Sequence, residues 1–447
     1  MSDALFTPIF VPDAVAEAVS DRAWLQAMLD VEAAIARSEA AAGIIPTEAA
    51  SAITAACSAD RFDLAAIGMA ARDPGLPIPP LVRALEKEVG GDAARYVHWG
   101  ATSQDVLDTA AMLVCRKTID LVLDNLQAVS AACARLAREG RAMPMVGRTL
   151  LQHALPTTFG AKAAGWLVAV VDAHRLLVQA RSQLAVQFGG AAGTLASLGD
   201  RGVEVLGRLA RELSLGEPVV PWHTSRARIA HVGTSLGIVS GTVAKVALDI
   251  ILMAQTEVGE VSEPDGARGG SSTMPQKSNP VGSALTVACS RRAQAAAGVL
   301  IAAMAQEHER GSGSWHSEWE SLTEVLGMTG GATAWTRFVL SGLEVHPDRM
   351  ASNLSLTGGL LLAESVSMRL AEKVGRVEAH SLVEALCNRA VTEQRPLREL
   401  LVEDDVVSTE LTEAEIDDAL DPAGYVGSAD VFVERALDYY ERNAIGP

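Results

Sequence analysis

Apolar residues recur at helical spacing along almost the whole chain. Ser20-Asp21 predicts the start of a helix that runs to about Ala42, with Gly43 just past its end. A second helix is predicted from about Ser103 to Glu139, stopped by Gly140. A third starts near Pro156, a residue suited to a helix start, and runs towards Gln187, ahead of Gly189-Gly190. Between Thr224 and Glu257, the positions Leu236, Val239, Val243, Val246, Ile250 and Met253 are spaced 3, 4, 3, 4, 3, a coiled-coil-type seam. A further helix follows Pro280 and continues to about Gln306. No run of alternating strands is evident. Such helices are far longer than the globular mean of about 11–12 residues, so the expected fold is all-α, built on a long antiparallel bundle. Three parts are expected: residues 1–110, a central bundle over 111–356, and a helical C-terminal part over 357–447. Ile238, Leu248, Ile251 and Leu252 lie off the seam and are also apolar. A helix apolar on more than one side is buried on more than one side, which points to oligomerisation through the bundle.

Composition narrows the class. Hydrophobic residues make up 49% of the 447 and aromatics only 4%, which favours helix packing over sheet. The net charge of −18 argues against nucleic acid, whose binders carry a basic footprint. Nine acidic residues and no Lys or Arg fall between Glu403 and Asp421, so the charge says little about the field at a site elsewhere. Cys57, Cys115, Cys133, Cys289 and Cys387 contain no CxxC pair and read as reduced, buried thiols. The N-terminus lacks a signal-peptide pattern, and Lys245 and Asp249 interrupt the most apolar stretch, which argues against a membrane span. A cytoplasmic protein without membrane partners is expected.

Polar chemistry gathers in the loops. His98-Trp-Gly-Ala-Thr-Ser-Gln-Asp105 precedes a long helix; Thr102 and Ser103 sit near its N-cap, where free N–H groups favour an anionic ligand group, although a plain capped helix would look the same. In Gly147-Arg-Thr-Leu-Leu-Gln-His-Ala-Leu-Pro156, helical spacing would put Thr149, Gln152 and His153 on one face. A lone histidine such as His153 is more often a structural hydrogen-bonder than a catalyst. Gly269 to Pro280 is rich in donors and stiffened by two prolines; it is not a P-loop, because Gln276 stands where that pattern needs Gly and a helix precedes it. His308 to Glu318 is another Gly/Ser loop, in which Arg310 faces either a pocket or solvent. HExxH, EF-hand, GxSxG and Rossmann patterns are absent, so neither a metal nor another cofactor is expected.

Taken together, Gly270-Ser-Ser-Thr-Met-Pro-Gln-Lys-Ser-Asn-Pro280, Gly100-Ala-Thr-Ser-Gln-Asp105 and Gly147-Arg-Thr…Gln152…Ala154…Pro156 resemble the three signature regions of the fumarase/aspartase superfamily, in the usual order. The resemblance implies three helical domains and a homotetramer whose central domains form one large bundle, each active site being shared by three subunits. It also implies that a loop serine, here Ser271, moves the proton on carbon, with Lys277 and Asn279 holding substrate carboxylates. His98, Thr102, Ser103, Arg148, Thr149, Gln152, Ser272 and Met274 are the further substrate contacts it implies.

Two departures are informative. Many members of the superfamily read Thr-His where this chain has Thr149-Leu150, and fumarase pairs that histidine with a glutamate where this chain has Ala284. An amine or hydroxide needs a proton to leave; a carboxylate, with an acid pKa of about 4, does not. The chain is therefore expected to act where the group added or expelled is itself a carboxylate, as in lactone formation. Flanking segments, among them Pro221-Trp-His-Thr224 and Glu257 to Val261, resemble the lactone-forming branch, whose substrate is a tricarboxylate. Lys277 and Arg148 are then the first candidate cations, followed by Arg226 and Arg310, and His153 is a binder or auxiliary acid. The rival readings are an amine-expelling member such as an adenylosuccinate lyase, and an inactive structural relative.

Overall fold

The computed structural model describes residues 5–264, 274 and 277–443. Long helices dominate, as expected: α1 (Asp21–Ala41), α2 (Ser103–Glu139), α3 (Phe159–Ser182), α4 (Ala227–Met253), α5 (Val281–Ala302) and α6 (Ser314–Ser341). The chain divides into two compact units. One comprises Met1–Leu126, Asp172–Lys245 and Leu285–Thr336; the other comprises Gln127–Val171, Val246–Ala284 and Arg337–Pro447.

In the first unit, α1 packs on the Thr47–Ala56 and Gly202–Leu213 helices. Its start is the predicted one: the Ser20 hydroxyl accepts from the Ala23 N–H at 3.1 Å. Its end turns at Gly43, whose φ of 72° lets the Ile44 N–H reach back to the Glu39 carbonyl at 2.9 Å. Within α6, Gly331 passes so close to the Phe10 carbonyl that any Cβ would collide with it.

The second unit holds what the helical pattern missed. Pro144–Thr149 (β1) and Gln152–Thr158 (β2) form an antiparallel hairpin, joined by Leu150 and Leu151, both left-handed at φ 48° and 65°. The register pairs Arg148 with His153 and Thr149 with Gln152. Neighbouring pairs in a ladder point to opposite faces, so His153 shares a face with Arg148 rather than with Thr149 and Gln152 as helical spacing implied. Pro156 lies inside β2, and α3 begins only at Phe159. A two-residue turn of this kind normally advertises itself with Asn-Gly or Asp-Gly; Leu-Leu carries no such signal. Beyond the hairpin, the Ala363–Val374 and Arg376–Glu393 helices pack together over a core that includes Val366, Leu370, Val383 and Leu400.

In α4 the seam is buried as predicted, while Ile238, Leu248 and Leu252 are exposed. This helix is long and apolar enough to cross a membrane, but its seam belongs to the protein core and Asp249 accepts from the Trp166 indole N–H at 2.7 Å. All five cysteines are free; burial pushes the Cys115 and Cys133 thiols up to about 12. The acidic C-terminal stretch is partly neutralised by Arg369, Arg395 and Arg398.

Because the Phe10 backbone leaves no room at position 331, Gly331→Ala should cost roughly 1–3 kcal/mol of stability, read as a lower urea midpoint with an unchanged denaturant slope.

Candidate active site

In the first unit, the loop ahead of α2 is fastened by one carboxylate. Asp105 accepts from the Thr102 N–H at 3.0 Å, from the Gly189 and Gly190 N–H groups at 2.9 Å each, and from His223 Nε2 at 2.7 Å. Gly100, at φ 71°, has no room for a side chain: a Cβ would lie 2.5 Å from Leu198 Cδ2. The helix N-terminus that the sequence offered to an anionic ligand is thus partly satisfied by the protein's own Asp105. Thr102 and Ser103 remain partly accessible beside it.

One turn along α2, Asp108 meets Arg226. The Arg226 guanidinium makes two bonds to Asp108 (2.7 and 3.0 Å) and three to Glu318, through Nε (3.0 and 3.2 Å) and Nη2 (2.5 Å). The residue is 1% exposed. Despite burial, the two carboxylates hold Arg226 above its ordinary pKa, whereas burial raises that of Glu318 against the opposing pull of Arg226. Arg226 is therefore a structural cation rather than the substrate-facing one expected from sequence. Arg310 is different. Its Nε donates to Gln104 Oε1 at 3.2 Å and its Nη2 to the Ala191 carbonyl at 3.3 Å, both neutral partners. Among the described residues, no carboxylate pairs with it.

His98 closes this cluster. Its backbone is left-handed at φ 58°, and its Nδ1 lies 2.6 Å from Glu32 Oε1. Burial alone would lower the His98 pKa; Glu32, with Asp105 and Glu86 behind it, raises it instead. Two turns along α1, Glu39 is 0% exposed, with no hydrogen-bond partner for either oxygen among the described residues. Burial, reinforced by Glu32, pushes its carboxyl up to about 9.

In the second unit, Arg148 forms a bidentate pair with Glu260 (Nη1–Oε2 2.9 Å, Nη2–Oε1 2.8 Å). Glu260 is fully buried and also accepts from Asn353 Nδ2 at 2.8 Å. A substrate carboxylate at Arg148 would thus meet a cation already matched by an internal acid. His153, across the ladder from Arg148, has a buried Nδ1 with no partner among the described residues; burial and then Arg148 lower its pKa, which favours the neutral ring. Thr149 and Gln152 are exposed at the hairpin end, where Leu150 is 97% exposed. Lys277 and Met274 are exposed and Asn279 is half-buried. Ser271 and Ser272 lie outside the described residues. Glu263 accepts the Gly282 and Ser283 N–H groups (2.9 and 2.7 Å) at the start of α5.

His98, Thr102, Ser103, Arg226 and Arg310 thus belong to one unit, and Arg148, Thr149, Gln152, His153, Met274, Lys277 and Asn279 to the other. The carboxylates that organise them (Glu32, Asp105, Asp108, Glu260, Glu318) were not singled out from sequence. The usable signal was an acid inside an apolar run, as in Val31-Glu32-Ala33-Ala34-Ile35.

The three motif segments resemble those of lyases of the fumarase/aspartase kind, and comparison with known proteins agrees. Residues 11–295 match the lyase family model and residues 359–436 match the adenylosuccinate lyase C-terminus, and the chain belongs to this family. It is 47% identical to the 3-carboxy-cis,cis-muconate cycloisomerase of Bradyrhizobium diazoefficiens, over 98% of each chain. It is 46% identical to the enzyme of that name from Pseudomonas aeruginosa, over 100% of this chain and 98% of the relative. The crystal structure of the 3-carboxy-cis,cis-muconate lactonizing enzyme from Pseudomonas putida superposes with a TM-score of 0.94 at 44% identity, covering 99% of this chain and 100% of that one.

Two outcomes follow from the buried charges. Arg226→Met strands two buried carboxylates and should cost about 3–5 kcal/mol in a denaturant titration, whereas removing the exposed Arg208–Glu204 pair with Arg208→Ala should change little. Glu39 keeps its proton in the folded state while the unfolded chain releases it above pH 4.5, so this group makes stability fall as pH rises from 4.5 to about 9. Glu39→Gln should remove that slope, and its stabilising effect, near zero at pH 4.5, should reach up to ~4 kcal/mol at pH 8.

Proposed function

We propose that the chain is a 3-carboxy-cis,cis-muconate cycloisomerase, closing 3-carboxy-cis,cis-muconate to 4-carboxymuconolactone in aromatic-acid breakdown. Full-length similarity to enzymes of that name carries the reading. One substrate carboxylate oxygen forms a bond to a diene carbon. The π pair moves toward the neighbouring carbon, which takes a proton from the Ser271 hydroxyl, and solvent restores the serine proton. The attacking group is already a stable anion, so no acid is needed at position 150, and Leu150 supplies none.

The substrate carries three carboxylates. Among the described residues no carboxylate pairs with Lys277 or Arg310, and Asn279, Thr102, Ser103, Thr149, Gln152, Ser272, Met274 and His98 complete the proposed contacts. Arg148 joins them as a cation held in place by Glu260. A neutral His153 serves as a hydrogen-bonding group rather than an acid. The assembly we propose is a cytoplasmic homotetramer of three-domain subunits, divided at residues 110 and 356, with sites shared by three subunits. The exposed apolar residues Ile238, Leu248 and Leu252 on α4, and Leu150 at the hairpin tip, support burial against further copies.

The decisive assay is loss of diene absorbance when 3-carboxy-cis,cis-muconate is added. Wild type should turn it over, Ser271→Ala should lose at least ~100-fold in kcat, and the fold should persist by circular dichroism. Wild-type activity should not require Leu150→His, and adenylosuccinate should release no fumarate at enzyme-like rates. Activity that depends on that histidine, or fumarate release, would overturn the assignment.

A further inference from the structure

His98 stands in the first motif, two residues before Gly100, but the feature that distinguishes it is what lies behind it. Its Nδ1 is spent on Glu32 at 2.6 Å, while 17% of the imidazole side chain stays exposed. Glu32 itself is 1% exposed, too deep to meet a ligand. The backbone at His98 is held in the left-handed region, at φ 58°, which costs a non-glycine residue free energy unless the surroundings enforce it. A short bond to a buried carboxylate on α1, distant in sequence from the turn that holds His98, is such an enforcement.

We infer that Glu32 is a positioning residue for the reaction: it fixes the His98 ring through Nδ1, so that Nε2 is presented to a substrate carboxylate. The inference rests on the proposed activity, in which His98 contacts the substrate. With Nδ1 committed, Nε2 is the nitrogen left for a ligand, and only a protonated ring makes that nitrogen a donor. The carboxylates bearing on the ring come from three elements: Glu32 on α1, Asp105 on α2, and Glu86 on the Ile78–Val89 helix. Glu32 is the one among them in contact. Its other oxygen, Oε2, has no partner among the described residues, and Glu39, the next acid along α1, is held neutral by burial. A second negative charge beside Glu32 is thereby avoided, and His98 is the cation that matches it.

The dyad has a pH signature that a merely structural contact lacks. Above the His98 pKa the ring loses the Nε2 proton, so kcat/KM for 3-carboxy-cis,cis-muconate should fall on the alkaline side. Glu32→Gln keeps the size and the hydrogen bond but removes the charge. It should move the alkaline limb toward lower pH by about one pH unit, giving a loss of about tenfold at pH 8 and less than about twofold at pH 6. Glu32→Asp, which retains the charge, should restore the wild-type limb. Independently of turnover, the His98 imidazole signal in histidine-labelled protein, identified by its loss in His98→Asn, should titrate above about 6.5 in wild type and lower in Glu32→Gln. A wild-type His98 midpoint at or below that value, or parallel pH profiles with an unmoved midpoint, would overturn the role of Glu32. The titration needs no substrate, so it judges the dyad even if 3-carboxy-cis,cis-muconate is not turned over, and it can be read on wild type alone if Glu32→Gln does not fold. An inactive wild type with a raised His98 midpoint would count against the proposed activity instead.

Discussion

A carboxylate buried without compensation is among the costliest things a protein can contain, and the first unit is organised by its way of compensating two of them. Asp105 and Asp108 lie one turn apart on α2. Asp105 gathers backbone N–H groups from Thr102, Gly189 and Gly190 and the ring of His223; Asp108 gathers Arg226 and the Trp315 indole. Because each acid must find several donors, it recruits them from segments distant in sequence, and the motif loop, the Gly189-Gly190 turn and the Arg226 region become one fixed body. The polar residues facing solvent from that body inherit its rigidity.

The same accounting separates the cations. Arg226 and Arg148 are matched by buried carboxylates and hold their surroundings in register, whereas Arg310 leans on neutral acceptors and has no carboxylate partner among the described residues. A site for a tricarboxylate needs both kinds. Unmatched cations attract the ligand; matched ones stay put when it binds, because their geometry is set beforehand. In the reaction we propose, an internal carboxylate attacks without help from an acid, and the protein supplies placement and the Ser271 proton. An apolar Leu150 at the hairpin tip is consistent with that economy.

Much of this was legible in the residue string. The capped start of α1, its turn at Gly43 and the α4 seam follow from local rules: capping, left-handed glycine and a repeating apolar stripe; the three motifs are legible through their resemblance to a known family. The hairpin at 144–158 was hidden, because Leu150 and Leu151 adopt left-handed turn conformations that their side chains do not announce, and because Pro156 favours a helix start as readily as it sits in a short ladder. Helical spacing therefore assigns Thr149, Gln152 and His153 a shared face that the hairpin does not have.

What the sequence determined by itself was the class of element and the apolar faces, each set by interactions within a few residues. Which charges are spent and which are free was decided only in three dimensions. Arg148, Arg226 and Arg310 look alike in sequence; their partners Glu260, Asp108 with Glu318, and Gln104 lie 112, 118, 92 and 206 residues away. A charge's effect depends on what lies within a few ångströms of it after folding, and no local pattern specifies that.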